Sequence, residues 1–126
     1  MKQLILLAWP LLFCILQPND CSRFRNGKFK ATIKGAPYFI ERNGDLQHEW
    51  VLGATDSRNS TLHVKWISDC TYTLAPTEET LKKAPHIPKY AVLTSEIIKT
   101  TDSSYTTKVT ANYSTFVDTT TFIRVN

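Results

Sequence analysis

The segment Tyr38-Phe-Ile-Glu-Arg-Asn-Gly-Asp-Leu-Gln-His-Glu-Trp-Val-Leu52 carries the strongest local signal in the chain. Its centre, Asn43-Gly44, lies between two apolar runs. That is the pattern of a two-residue type I′ hairpin, in which both central residues need positive φ. A turn there opposes Arg42 to Asp45, Glu41 to Leu46, Ile40 to Gln47, Phe39 to His48 and Tyr38 to Glu49. One face of the hairpin then holds Phe39, Leu46, His48, Trp50 and Leu52. The other holds Tyr38, Ile40, Arg42, Asp45, Gln47 and Glu49. The first face has the larger apolar area, so it is expected to turn inward.

The same period of two continues on both sides of the hairpin. Phe29, Ala31 and Ile33 alternate with Lys28, Lys30, Thr32 and Lys34, and Leu62, Val64 and Trp66 alternate with Thr61, His63 and Lys65. Tyr72 and Leu74 alternate with threonines, and so do Tyr105, Val109 and Tyr113 with polar neighbours. Each run reads as a strand with one buried and one wet face. Eight strands are expected, at 27–34, 37–43, 45–53, 60–68, 70–76, 89–99, 104–112 and 115–125, and seventeen threonines suit them. Turns fall at Gly35-Ala36, Asn43-Gly44, Ser68-Asp69, 101–103 and 112–114, with a longer loop at 54–59. Thr77 caps a short helix over 77–84, Glu78 and Glu79 sit in its first turn, Lys82 and Lys83 in its last, and Pro85 ends it. The reading is an all-β, antiparallel up-and-down meander closed into a small barrel. A seven-stranded sandwich has the same strand spacing and is the other architecture.

The chain has 126 residues, 42% apolar and 21% charged, with a formal charge of +4. This is one domain, too short for a Rossmann enzyme with a substrate domain or for a TIM barrel. Residues 1–20 read as a secretory signal: Lys2, then an apolar run from Leu4 to Leu16, too short to span a bilayer. The mature domain is then 21–126, with no transmembrane span, exported to a periplasmic or extracellular space. Lipoprotein anchoring fits less well, because Cys14 follows Phe13 and Cys21 follows Asp20. Removing the leader leaves Cys21 and Cys70. An even number in an oxidising compartment reads as a disulfide, closing a loop of about 50 residues worth about 4 kcal/mol. A reactive thiol is the alternative, although neither cysteine lies in a Cys-x-x-Cys pair.

His48, His63 and His86 show no metal-ligand spacing, so no metal is expected. Glu41 faces away from Asp45 and Glu49, and Asp45 beside Arg42 reads as a solvated ion pair rather than half of an acid–base couple. No phosphate-binding loop or nucleophile elbow appears. No catalytic residue, no cofactor and no enzyme activity are therefore expected. Arg23, Arg25, Lys28, Lys30 and Lys34 are interleaved with Phe24 and Phe29. The lysines read as the wet face of the first strand and the phenylalanines as core, so nucleic-acid binding is not expected. Large aromatics converge instead: Phe39, His48, Trp50, Trp66 and Tyr72 are the candidate ligand-lining residues.

Three stretches resemble a family of small exported proteins of Bacteroidota: Cys21-Ser-Arg-Phe-Arg-Asn-Gly-Lys-Phe29, Glu41-Arg-Asn-Gly-Asp-Leu-Gln-His-Glu49 and Val64-Lys-Trp-Ile-Ser-Asp-Cys-Thr-Tyr-Thr-Leu74. The resemblance covers the front half of the mature chain closely and the back half by strand pattern. It supports the fold and the disulfide and implies no activity. Some members carry a topoisomerase label, a mislabelling for a chain without room for the ATPase or DNA-cleaving apparatus. In such relatives an apolar residue often stands at the place of His48, which implies an inward His48. Gly27-Lys28-Phe29 is similar to the Gly-x-Trp of lipocalins, with Phe for Trp, at the level of fold alone. The functional expectation is a non-catalytic barrel that binds a small apolar or amphipathic ligand. The alternative is a structural or protein-interaction component of the cell envelope, with a filled barrel that contacts an envelope protein partner.

Overall fold

A computed structural model gives the structure over residues 20–51 and 59–126. The expected leader up to Asn19, Leu52 and most of the 54–59 loop lie outside the described residues. Eight strands, β1 (Gly27–Ile33), β2 (Ala36–Asn43), β3 (Leu46–Val51), β4 (Ser60–Trp66), β5 (Thr71–Pro76), β6 (Leu93–Thr100), β7 (Ser104–Ala111) and β8 (Val117–Val125), each pair antiparallel with their sequence neighbours. β8 then returns to β1 through Lys28↔Val125, Phe29↔Arg124 and Lys30↔Ile123. The sheet is a closed up-and-down barrel, consistent with a small lipocalin-like barrel, and the sandwich is excluded. Closure removes the unpaired edges that an open sheet of this size would expose.

One helix, α1 (Glu78–Lys83), connects β5 to β6. Thr77 caps it by accepting the Thr80 N–H at 3.3 Å, and the acidic and basic turns fall where the macrodipole favours them. β6 starts at Leu93, four residues later than the pattern at 89 suggests. The Ile87 and Ala91 amides bond the Ala84 and Pro88 carbonyls at 3.0 Å, which winds the segment into turns. Pro85 and Pro88, with no N–H to give, cannot continue a strand ladder.

Two turns differ by one residue from the sequence reading, and, independently of both, the β2–β3 hairpin turns its other face inward. The first hairpin turns at Lys34-Gly35, with φ of +51° and +80°, and is therefore the one with two central residues at positive φ. The second turns at Gly44-Asp45. Gly44 has φ +62° in the first central position, as a II′ turn needs, and Asn43 pairs with Leu46. That shift alone leaves each face's membership of Tyr38–Val51 unchanged. What changes is which face is inside.

The face expected outside is the buried one: Ile40 and Arg42 are 1% exposed and Gln47 2%. Register explains the reversal. β1 has an unambiguous dry face, Phe29 and Ala31, and its other face carries Lys28 and Lys30. The Lys34-Gly35 turn pairs Phe29 with Ile40 and Ala31 with Tyr38, and directly paired residues share a face. Burying the β1 lysines to turn Phe39 and Trp50 inward would cost several kcal/mol per unpaired ion. The hairpin follows β1.

The end of the barrel opposite α1 is closed by the segment before β1. A 3₁₀ turn, Cys21–Phe24, lays a fully buried Phe24 over the core. The Cys21–Cys70 disulfide ties this turn to the β4–β5 connection, with Cα atoms 5.3 Å apart. Arg124 on β8 secures it further. Its guanidinium lies 5.0 Å from the Phe29 ring and 5.4 Å from Phe24, and donates to the carbonyls of Arg23 and Asn26.

Candidate ligand-binding site

The barrel interior is divided into a filled half and a hollow half. In the filled half, Tyr105 stacks on Phe122 at 5.2 Å, meets Phe24 at 5.2 Å and stands edge-on to Phe29 at 5.1 Å. Such pairs favour tilted and offset geometries and bury large areas. Arg42 lies among them. Its guanidinium is 4.5 Å from the Tyr72 ring centre and 5.6–5.7 Å from those of Phe29, Trp66 and Tyr105. Nη2 donates to the Tyr105 hydroxyl at 2.6 Å. Burial works against the Arg42 charge, but Tyr72, Tyr105 and Glu49 outweigh it and hold the group above its ordinary value. Burial pushes the Tyr105 hydroxyl well up, so Tyr105 remains neutral as it accepts this bond. The expected surface pair of Arg42 with Asp45 does not form, because Arg42 is inside.

At the α1 end the interior opens into a cavity of about 240 Å³. Ile33, Leu74, Leu93, Val109 and Phe122 give it apolar walls, and Tyr38, Gln47, Glu49, Ser95 and Asp118 give it polar ones. The polar groups are connected. The Tyr38 hydroxyl donates to Glu49 Oε2, and Gln47 Nε2 donates to Glu49 Oε1 at 2.6 Å. Burial raises the Glu49 carboxyl above its usual range, against the lowering by Tyr38, Gln47, Arg42 and His48. Burial, then the Glu49 charge, raises Tyr38. A Glu held toward neutrality in a partly apolar cavity marks a place where an added charge would be felt. Two larger depressions, about 490 and 510 Å³, lie on the outside, along α1 and across the outer faces of β1, β2 and β8. Neither draws on the barrel interior as the smaller cavity does.

The five residues expected to line a ligand are separated by the wall. Tyr72 lines the cavity. Trp66 is inside but packs on Tyr72 at 4.7 Å toward the filled half, and is not part of the cavity wall. Phe39, His48 and Trp50 are on the outer face, a correction that follows from the β1 register. Phe39 stacks on Trp50 at 5.8 Å, and the exposed His48 has its Nδ1 3.0 Å from the Thr61 hydroxyl. Tyr38, Gln47, Glu49 and Asp118 were not singled out as site residues. The signal for the first three was present: counting the β1 alternation through a Lys-Gly turn places 38, 40 and 42 inside, and 47 and 49 with them. Among the described residues no group of His, Cys, Asp and Glu could hold a metal ion, and no helix is long and apolar enough to cross a membrane. Comparison with protein-family models, with curated proteins and with solved structures gives no match.

Proposed function

We propose that this protein is an exported, non-catalytic carrier that holds a small amphipathic molecule in the hollow half of its barrel. The observation that carries the reading is the division of the interior. One half is packed with rings around Arg42, and the other keeps about 240 Å³ open against a connected polar cluster. The hollow opens to solvent beside Phe116, so a small molecule can reach the polar cluster without displacing core side chains. The volume lies below the roughly 300–1,000 Å³ usual for drug-sized ligands, so the occupant is small. Its apolar part meets Leu74, Leu93 and Val109, and its polar part meets Gln47 and Glu49. The leader and the resemblance to small exported proteins support an extracytoplasmic setting, and the Cys21–Cys70 disulfide agrees with it.

The test is a native mass spectrum of the protein isolated from its own host, repeated after denaturation. A discrete extra mass of small-molecule size, released by denaturation, is expected. A bare chain in every preparation contradicts the carrier reading. The stacked Phe39–Trp50 pair on the outer wall, beside the exposed Ile123, favours a second reading as an envelope protein's partner. Replacing both rings by Thr would abolish partner contact under that reading and leave ligand mass unchanged under the first.

A further inference from the structure

We propose that the cavity is a site for a small organic cation, a primary amine on an apolar stem, whose ammonium group sits between Gln47, Glu49 and Asp118. The proposal rests on the carrier reading and gives its ligand a charge. The first observation is electrostatic. The chain carries a formal +4, yet among the described residues that line the cavity the charged side chains are Glu49 and Asp118, with no Lys, Arg or His. Arg42, the buried cation of the interior, lies over the Tyr72 ring behind the cavity wall, and its charge acts on Glu49 from there without reaching the cavity. The mouth side chain Lys34 is exposed, where solvent and salt screen it.

The second observation is independent of charge. Gln47 is 2% exposed, lines the cavity, and leaves its Oε1 without a hydrogen-bond partner. Its Nε2 donates to Glu49 Oε1, and the oxygen is left as an unused acceptor. A buried acceptor without a donor is costly. An incoming N–H satisfies it, whereas a hydrocarbon or an anion does not. An ammonium has three donors and no acceptor, which suits Gln47 Oε1 and the two carboxylates together. The rings of Tyr38, Tyr72, Phe116 and Phe122 complete the walls, and aromatic faces attract a desolvated cation.

Binding would also move a proton. The groups acting on Glu49 are Tyr38 and Arg42 on β2 and Gln47 and His48 on its own strand, while Tyr72 on β5 and Asp118 on β8 line the same cavity. Burial holds the Glu49 carboxyl toward its neutral form, and an ammonium against it favours ionisation. Amine affinity therefore rises as pH rises from about the ordinary carboxylate value into the neutral range.

The experiment is calorimetric titration of the purified protein with three probes of one size, 2-phenylethylamine, 2-phenylethanol and phenylacetate, at pH 5 and pH 7. The amine is expected to bind at least about tenfold more tightly than the alcohol, with phenylacetate weakest, and more tightly at pH 7 than at pH 5. Glu49→Gln is expected to remove most of the preference for the amine while changing alcohol binding little. Asp118→Asn, nearer the mouth, gives the same result in smaller measure and stands in should Glu49→Gln fail to fold. Equal binding of amine and alcohol, or preference for phenylacetate, overturns the cation site and leaves the carrier reading in place. Binding of none of the three also overturns it, and the carrier reading then stands or falls on the native mass spectrum.

Discussion

Arg42 and Glu49 are ionisable groups on the same inward face of one hairpin, and each is kept there by different neighbours. Arg42 has ring faces and the Tyr105 hydroxyl around it and, among the described residues, no carboxylate in salt-bridge contact. Its aliphatic stem and planar head fill the centre of the packed half. Arg42→Ala is expected to lower stability by about 3–5 kcal/mol, measured by urea unfolding, because it empties a large buried volume and orphans Tyr105. A loss below about 1 kcal/mol would mean that the side chain is not in the core. Glu49 sets a pH dependence of definite sign. Its value in the folded chain lies above the ordinary 4.5, so the folded state binds the proton more tightly than the unfolded state does. Its contribution is fully present below about pH 4.5 and is lost as pH rises through the raised value. The stability of the wild type relative to Glu49→Gln is therefore expected to fall as pH is raised from 4 to 8 without ligand. A difference that grows with pH would place Glu49 in contact with a cation instead.

At the scale of elements, the closed end depends on three devices that act on the same few residues: the 3₁₀ turn, the disulfide and the Arg124 clamp. Gly27 lies where they meet. Its φ is +139°, and a Cβ there would come within 2.5 Å of Arg124 Nη1 and 3.2 Å of the Phe29 ring. Gly27→Ala is expected to cost about 1–3 kcal/mol, because both the backbone conformation and the clamp are lost. Heat unfolding with Gly27→Ala unchanged from wild type would show that the clamp contributes nothing. Replacing Cys21 and Cys70 by Ser is expected to cost about 2–5 kcal/mol and to release amide protection first in residues 21–24. The elements themselves were legible in the sequence. Period-two alternation located eight strands, and the Thr77 cap with its charged turns located the helix. The side of the β2–β3 hairpin was not legible from that hairpin alone. Its own apolar count favours Phe39 and Trp50 inside, and only the lysines of β1, transmitted through a two-residue turn, decide otherwise. Turn placement did not contribute to the miss, since a two-residue turn at Gly35-Ala36 or at Lys34-Gly35 puts Tyr38, Ile40 and Arg42 on the face of Phe29 and Ala31.

The described residues form a short closed barrel, packed with rings at one end and hollow at the other. Cysteine parity gave the staple, whereas of the five converging aromatic side chains expected around a ligand only Tyr72 lines the cavity. The candidate site itself was mostly hidden. Gln47 and Glu49 are residues that their own hairpin's pattern assigns to solvent, and their burial follows only when the dry face of β1 is carried across two turns. Filling the cavity should separate its role from that of the packed half. Val109→Phe is expected to leave the fold intact, change stability by no more than about 1–3 kcal/mol, and abolish the extra mass in the native spectrum. Retention of that mass would locate the ligand elsewhere. The most direct measurement of the central claim is a methyl NMR titration of the protein with benzene, a probe small enough for the hollow. Methyl groups of Ile33, Leu74, Leu93 and Val109 are expected to shift together and saturably, while Ile97 beside the disulfide does not. Shifts confined to the outer residues Ile98 and Ile123, or none at saturation, would contradict an accessible hollow half.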